Sequence, residues 1–281
     1  MTNKSHLEGR VVVVTGAAGG FGRLLASGCA ERGARVVLAD LEASTVGGAA
    51  EALRAQGFEA RGFAADVTDR AAMKALATQA VEAFGAIDVM VNNAGVMPLA
   101  FFADHAAAAE AWDRCIDVNL KGVLNGITAV HDTMIRQGRG HVVNVSSIYG
   151  NAPVPGAAVY GATKAAVRFL SEALRQESQG RIKVTTIRPT GVPTTGLGAG
   201  VVNPEAVRGI FGAGFERFMT TAAQVFGESS PPAELIDPAN IEYFALSPEL
   251  LVEQILYAID QPWGVSISDV TVRASGDGYL L

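Results

Sequence analysis

The sequence predicts a doubly wound α/β fold built on one parallel sheet of about seven strands. Short β-branched runs alternate with helical stretches from residue 11 onward. The first run, Val11–Thr15, is apolar without period-two alternation, as befits a strand covered by helices on both faces. Gly, Asn, Asp and Ser cluster just after the runs, at the carboxyl ends where open α/β sheets bind ligands.

Each element follows in order. Residues 11–15, Val-Val-Val-Val-Thr, form the first strand, and the glycine-rich loop 16–22 leads into a helix over 23–32. A second strand, 34–39, ends at Asp40, and the helix over 44–56 stops at Gly57. Residues 60–65 form the third strand, ending at Asp66; helix 69–84 takes Asp69 as N-cap and Gly85 as its C-terminal stop. The fourth strand spans 87–92. A long helical region, 106–137, carries Asn119, a residue type unfavourable inside helices. A fifth strand within 140–146, a helix over 159–179, a sixth strand over 183–188 and a last strand over 266–273 complete the pattern.

Residues 192–246 break it. This stretch is rich in Gly, Pro, Phe and Thr, offers no strand, and follows the sixth strand directly. It is expected to hang over the crevice as a substrate-covering segment, centred on 195–246, with one or two helices. The alternative is a solvent-facing insertion; Phe211, Phe215, Phe218, Met219 and Phe226 oppose that, since so many apolar side chains need burial. With no internal repeat, the chain reads as one domain over 1–281.

Composition narrows the function. Of 281 residues, 49% are hydrophobic and 18% charged, the balance of a globular chain. A net charge of −6 with no basic run opposes nucleic acid or an anionic membrane as partner. Cys29 and Cys115 sit singly in apolar stretches, read as small buried hydrophobes, and no His/Cys cluster has metal-ligand spacing. There is no signal-peptide pattern and no apolar run of the ~18 residues that span a bilayer, so a soluble, cytoplasmic protein is expected.

The loop Thr15-Gly16-Ala17-Ala18-Gly19-Gly20-Phe21-Gly22 joins strand to helix. Glycine lets the backbone approach a pyrophosphate, and the helix N-terminus offers N–H groups to it, so Gly16, Gly20, Phe21 and Gly22 form a dinucleotide site. Asp40 is placed to accept from adenosine ribose hydroxyls and to repel a 2′-phosphate; with Leu41 rather than a basic residue after it, NAD is favoured over NADP. The alternative for Asp40 is a turn cap. Asp66, followed by Val67, either accepts from the adenine amino group or caps its own turn. Asn93, Ala94 and Gly95, in Asn92-Asn93-Ala94-Gly95, let the backbone pass the adenine ribose, and the asparagines also tie strands together.

Tyr160 and Lys164 stand four apart on a helix pattern, hence on one face. An ammonium and a nicotinium charge favour the phenolate and lower the tyrosine pKa, suiting it to general acid/base work. Ser147, just past the fifth strand, is placed to hold a substrate oxygen; its neighbour Ser146 is the alternative. No histidine is placed to make either a nucleophile. Asn119 is expected to kink its helix and hold a water for proton relay.

In the Thr-Gly-x-x-x-Gly-x-Gly loop at 15–22, Asn-Asn-Ala-Gly at 92–95, Asn119, Ser147 and Tyr160-x-x-x-Lys164, the sequence resembles the short-chain dehydrogenase/reductase family, through about residue 194. The resemblance implies a Rossmann-type domain with catalytic Asn119, Ser147, Tyr160 and Lys164. Tyr160 is then the acid/base, Ser147 polarises the substrate oxygen, and Lys164 binds the nicotinamide ribose. Pro189, Val192 and Thr194 match the family's nicotinamide loop, whereas Thr190 replaces its usual glycine. It also implies a homodimer or homotetramer. The expected reaction interconverts a secondary alcohol and a ketone or aldehyde. With few cations near the site, the substrate is expected to be apolar, aromatic, terpenoid or steroid-like; an acyl-carrier conjugate and a polyol stand as alternatives. A cofactor-binding regulator and an epimerase or dehydratase are the rival functions.

Overall fold

A computed structural model describes residues 5–193, 195–227 and 230–281. Seven strands form one parallel sheet: β1 Val11–Thr15, β2 Arg35–Asp40, β3 Ala60–Ala64, β4 Val89–Asn92, β5 Gly140–Val145, β6 Ile182–Pro189 and β7 Asp269–Val272. Their order is β3-β2-β1-β4-β5-β6-β7. The chain starts in the middle, winds outward to β3, then returns to add β4 to β7 on the other side. The reversal lies between β1 and β4, the crevice where ligands bind in such sheets.

Both faces of the sheet are covered, and its central strands β1 and β2 carry buried apolar residues in succession, Val11 to Val14 and Val36 to Ala39. Val12 and Val14 of β1 pack with Val36, Leu38 and Val91 under helices α1 (Gly20–Glu31) and α10 (Pro248–Ile259). Val13, Val37, Met90 and Val142 face the other way, against α3 (Arg70–Phe84), α5 (Gly122–Gln137) and α6 (Ala158–Glu177). Helix α2 (Ala43–Ala55) buries Val46, Ala50 and Leu53 beside β2 and β3. Asp69 caps α3 by accepting from the N–H groups of Ala71 and Ala72, and Gly85 ends it in the left-handed conformation at φ 81°.

Two local features depart from the sequence expectation. The helical region 106–137 is helix α4 (His105–Ile116), one π turn over Asp117–Lys121, then α5. Asn119 sits in that turn, and π turns often mark functional positions. The last strand, Asp269–Val272, is shorter than residues 266–273, and side chains of β6 bond carbonyls just before it. Lys183 Nζ donates to Val265 (2.9 Å) and Thr185 Oγ1 to Ile267 (2.6 Å).

The segment after β6 holds no strand among its described residues. It contains α7 (Arg208–Phe211), α8 (Phe215–Gly227), α9 (Ala233–Ile236) and short 3₁₀ turns. Phe211 and Phe215 are buried with Tyr149, Tyr160 and Ile210 in a third apolar cluster. Cys29 and Cys115 are free and buried. Among the described residues no helix is long and apolar enough to cross a membrane, and no group of three or more His, Cys, Asp or Glu is arranged to hold a metal.

Candidate active site

A cavity of about 1190 Å³ opens at the carboxyl ends of β1, β2, β4, β5 and β6. At one end lies the glycine-rich loop. Gly16 has φ 64°, and a Cβ there would press on Ala94 and the Asn93 amide. A Cβ on Gly22 would overlap the Gly16 carbonyl and Asn93. These glycines therefore let the loop, the start of α1 and the strand end after β4 pack backbone to backbone, leaving a cradle whose size and free N–H groups fit a dinucleotide pyrophosphate.

Thr15 and Asn93 fasten this cradle. Asn93 Nδ2 donates to the Thr15 (2.8 Å) and Gly16 (3.1 Å) carbonyls, and the N–H groups of Asn93 (3.0 Å) and Ala94 (3.2 Å) donate to Thr15 Oγ1. Asn92 Nδ2 donates to Asn144 Oδ1 (2.8 Å), and Asn144 Nδ2 to Ser171 Oγ (2.9 Å), so the same strand end is tied to helix α6. Asp40 accepts from Ala18 N–H (2.9 Å) and Leu41 N–H (2.8 Å): the capping role exists, alongside a place in the cavity wall. Asp66 likewise spends Oδ1 on the Thr68 N–H and hydroxyl (both 2.8 Å) while it and Val67 line the cavity.

At the other end Ser147, Tyr160 and Lys164 converge. All three line the cavity and are at least nine-tenths buried. Ser147 lies within hydrogen-bonding reach of the Tyr160 phenol, and Lys164 Nζ lies 5.7 Å from its ring centre. Nζ donates to the Val145 carbonyl (2.9 Å), which aims it back along β5. Ser146 does not share this role: its hydroxyl donates to the Lys164 carbonyl (2.8 Å) and pins α6 to the strand end.

The protein's own groups set the electrostatics of the Tyr160 and Lys164 pair. Burial pushes the Tyr160 phenol above its ordinary value, the Ser147 hydrogen bond opposes this, and the Cys115 thiol adds to it. Lys164, itself buried, is lowered to about 8. Its ammonium alone does not outweigh the loss of water around the phenol. Tyr160 in this pocket holds its proton at neutral pH.

Asn119 is the one described site residue that does not line the cavity. Its Oδ1 accepts from the Val96 N–H and its Nδ2 donates to the Val96 carbonyl, both at 2.9 Å, with Thr163 Oγ1 a further acceptor at 3.3 Å. The carboxamide thus clamps the loop after β4 to α6. Gly95 packs against Asn119 and Lys164. Pro189 and Val192 line the cavity, and Thr194 lies outside the described residues. Thr190, in the place of a glycine, lines the cavity and also pairs with β7: its N–H (3.3 Å) and Oγ1 (3.5 Å) donate to the Val272 carbonyl, prolonging the β6–β7 pairing.

Two contributions went unread in the sequence. Thr15 reads as the first residue of the loop motif, and beyond that its hydroxyl organises the loop after β4. Tyr279 lines the cavity from the far end of the chain. Thr15 carried a signal, a hydroxyl immediately before the glycine loop; Tyr279 carried none.

The sequence profile for short chain dehydrogenase matches residues 10–203. The chain is 34% identical over 266 residues to an uncharacterized oxidoreductase of Listeria monocytogenes, covering 95% of this chain and 96% of that one. It is 37% identical over 191 residues to the 2,5-dichloro-2,5-cyclohexadiene-1,4-diol dehydrogenase LinX of Sphingobium indicum, covering 68% of this chain and 76% of the relative. Among solved structures, the closed form of serine dehydrogenase complexed with NADP+ superposes with a TM-score of 0.74 at 28% identity, covering 93% of this chain and 94% of that one. A metagenomic short-chain oxidoreductase in complex with NADP gives 0.71 at 28%, covering 96% and 98%. With this profile match and these relatives, on a parallel sheet whose crevice holds Ser147, Tyr160 and Lys164 beside a glycine cradle, the chain belongs to the short-chain dehydrogenase family of oxidoreductases, whose fold binds a nicotinamide cofactor.

Proposed function

We propose that the protein is an NAD-dependent oxidoreductase interconverting a fairly apolar secondary alcohol and its ketone, or an aldehyde, with Tyr160 as general acid and base. The observation that carries this reading is the convergence of Ser147, Tyr160 and Lys164 on the cavity that also contains the glycine cradle. The nicotinamide cofactor, when bound, supplies the hydride donor or acceptor. The loop 16–22 and the start of α1 bind its pyrophosphate, with Asn93, Ala94 and Gly95 beside the sugar.

Ser147 Oγ donates to the substrate oxygen and fixes it at Tyr160 Oη. In reduction Tyr160 gives its proton to the carbonyl oxygen, and burial keeps that proton in place until it is needed. In oxidation Tyr160 takes the hydroxyl proton, and positive charge at Lys164 and beyond it favours the phenolate. Asn119 holds Val96 and α6 in register and supports a water-linked proton relay.

NAD preference rests on Asp40 followed by Leu41. The cations lining the cavity are Arg114 and Lys164, on α4 and α6; neither follows β2, where a 2′-phosphate needs one. The solved relatives that hold NADP make this the first point to measure. An apolar substrate is supported by Phe211, Phe218, Phe226 and Phe244 in the wall. A homodimer or homotetramer in the cytoplasm belongs to the same reading, and light scattering checks the assembly.

The test is titration with NAD and NADP, then a panel of secondary alcohols with NADH absorbance as readout, using wild type, Tyr160→Phe and Ser147→Ala. Tighter NAD binding, with turnover that falls about 10²- to 10⁴-fold in Tyr160→Phe, is expected. Tighter NADP binding overturns the Asp40 assignment. Full activity in Tyr160→Phe overturns the mechanism.

A further inference from the structure

After β7 the chain turns back to the cavity and is fastened there. Arg273 pairs with Asp277 (2.6 Å) and donates to the carbonyls of Tyr279 (2.7 Å) and Leu281. The Tyr279 N–H donates to Asp277 (3.2 Å), the Gly276 N–H to the Tyr243 carbonyl (2.8 Å), and the Leu280 N–H to the Ile210 carbonyl (3.0 Å). These bonds fix the backbone on either side of Tyr279 and leave its ring in the cavity wall.

There the ring meets both halves of the site. Its centre lies 4.8 Å from that of Phe211 at an interplanar angle of 30°. Phe211 stacks on Phe218 at 3.7 Å and 22°, and Phe218 meets Phe244 at 5.3 Å and 33°. The Tyr279 hydroxyl is hydrogen-bonded by the backbone of Gly191, in the loop after β6, so closely that a Cβ on Gly191 would overlap it. The glycine that the family places one residue earlier is needed here at 191, because Tyr279 occupies the space. Burial pushes the phenol up to about 12, so it stays neutral and adds no charge to the wall. The four rings are linked by successive contacts at 22° to 33°, with Tyr279 at 50° to Phe218, and present a layered aromatic face. Such a face gains offset-stacking and edge-to-face energy from a planar ring that an open alkyl chain does not supply.

We propose that Tyr279 is a specificity-determining residue that completes an aromatic wall selecting substrates with an aryl ring beside the reacting carbon. This rests on the oxidoreductase reading above for its reaction, and on the wall alone for its preference.

The test uses two ketones of equal carbon number, acetophenone and 2-octanone. Binding to the NADH-saturated protein is measured by calorimetry, and kcat/KM for reduction is measured alongside. 2-Octanone has the larger aliphatic surface, so apolar area alone does not favour acetophenone. Wild type is expected to bind acetophenone about tenfold more tightly, a difference of the size that aromatic pairing supplies. Tyr279→Leu collapses that preference toward unity. Tyr279→Phe, which keeps the ring and loses only the hydroxyl, retains it and serves as the folding control. No preference in wild type, an unchanged preference in Tyr279→Leu, or equal loss in Tyr279→Leu and Tyr279→Phe overturns the proposal. Binding with the expected preference but without turnover supports the wall and overturns the oxidoreductase reading, so the two failures are told apart.

Discussion

Lys164→Met is expected to stabilise the cofactor-free protein while abolishing its activity. The ammonium is buried, and burial lowers its pKa to about 8 from 10.5. At about 1.4 kcal/mol for each tenfold change in proton affinity, holding it charged costs about 3 kcal/mol at neutral pH. Its hydrogen bond to the Val145 carbonyl (2.9 Å) returns about 1 to 2 kcal/mol. Methionine fills similar volume without charge, so the net gain is about 1 to 2 kcal/mol. The sign fixes the pH window. Below about 8 both folded and unfolded chains carry the proton, and the penalty is complete. Between about 8 and 10.5 the unfolded chain binds more protons, so wild-type stability rises with pH. By pH ~10 wild type recovers about 2.5 kcal/mol relative to the variant. Urea denaturation at fixed protein concentration, followed by far-UV circular dichroism at both pH values, measures the difference; taking the difference cancels other groups that titrate there. A variant less stable than wild type at neutral pH, or two parallel pH curves, refutes the reasoning.

Two other outcomes follow from the geometry. His141 Nε2 donates to Thr185 Oγ1 (2.8 Å), since the Thr185 hydrogen goes to Ile267, and Nδ1 has no partner. Burial, then Lys183 and Arg10, hold its pKa at about 3. The unfolded chain therefore takes up the proton first as pH falls through 6.5. Stability is full above that value, drops about 2 kcal/mol by pH ~5, and His141→Gln should flatten that limb in urea titrations. Gly22→Ala drives a methyl into the Gly16 carbonyl and the Asn93 amide, so the NADH Kd should rise at least ~10-fold by fluorescence titration; an unchanged Kd shows that the cradle is not the phosphate site.

Much of the fold was legible because the sheet is buried on both faces. Val11 to Val14 leave no doubt about a covered strand, and the run-helix-run alternation carries the topology. Tyr160 and Lys164 were legible because a helix repeats every 3.6 residues, so their spacing alone puts them on one face. What local pattern does not carry is the partner across space. Asn119 was conspicuous as a helix-breaking residue, yet nothing nearby showed that Val96 takes both ends of its amide. The burial around Tyr160 is hidden for the same reason. The charge on Lys164 is written four residues away, whereas the burial that outweighs it depends on Tyr149, Ile148 and Phe211, brought in by tertiary packing. Thr190 looked like a lost glycine until β7 supplied a use for its hydroxyl and Tyr279 a reason for Gly191.

The placement of the aromatic wall bears on how this protein can diverge. The cradle, the serine, the tyrosine and the lysine all belong to residues 15–164, where Asn93 ties the cradle to β1 and the Val145 carbonyl holds the lysine. The wall comes from 211–244 and 279, which reach the same cavity from outside that framework. A lineage can therefore exchange one ring for another and explore new alcohols while the parts that move protons stay untouched. Conversely, substitutions in Asn92, Asn144 or Ser171 alter the frame itself and reach every substrate at once. Substrate range and chemistry are inherited on separate stretches of the chain.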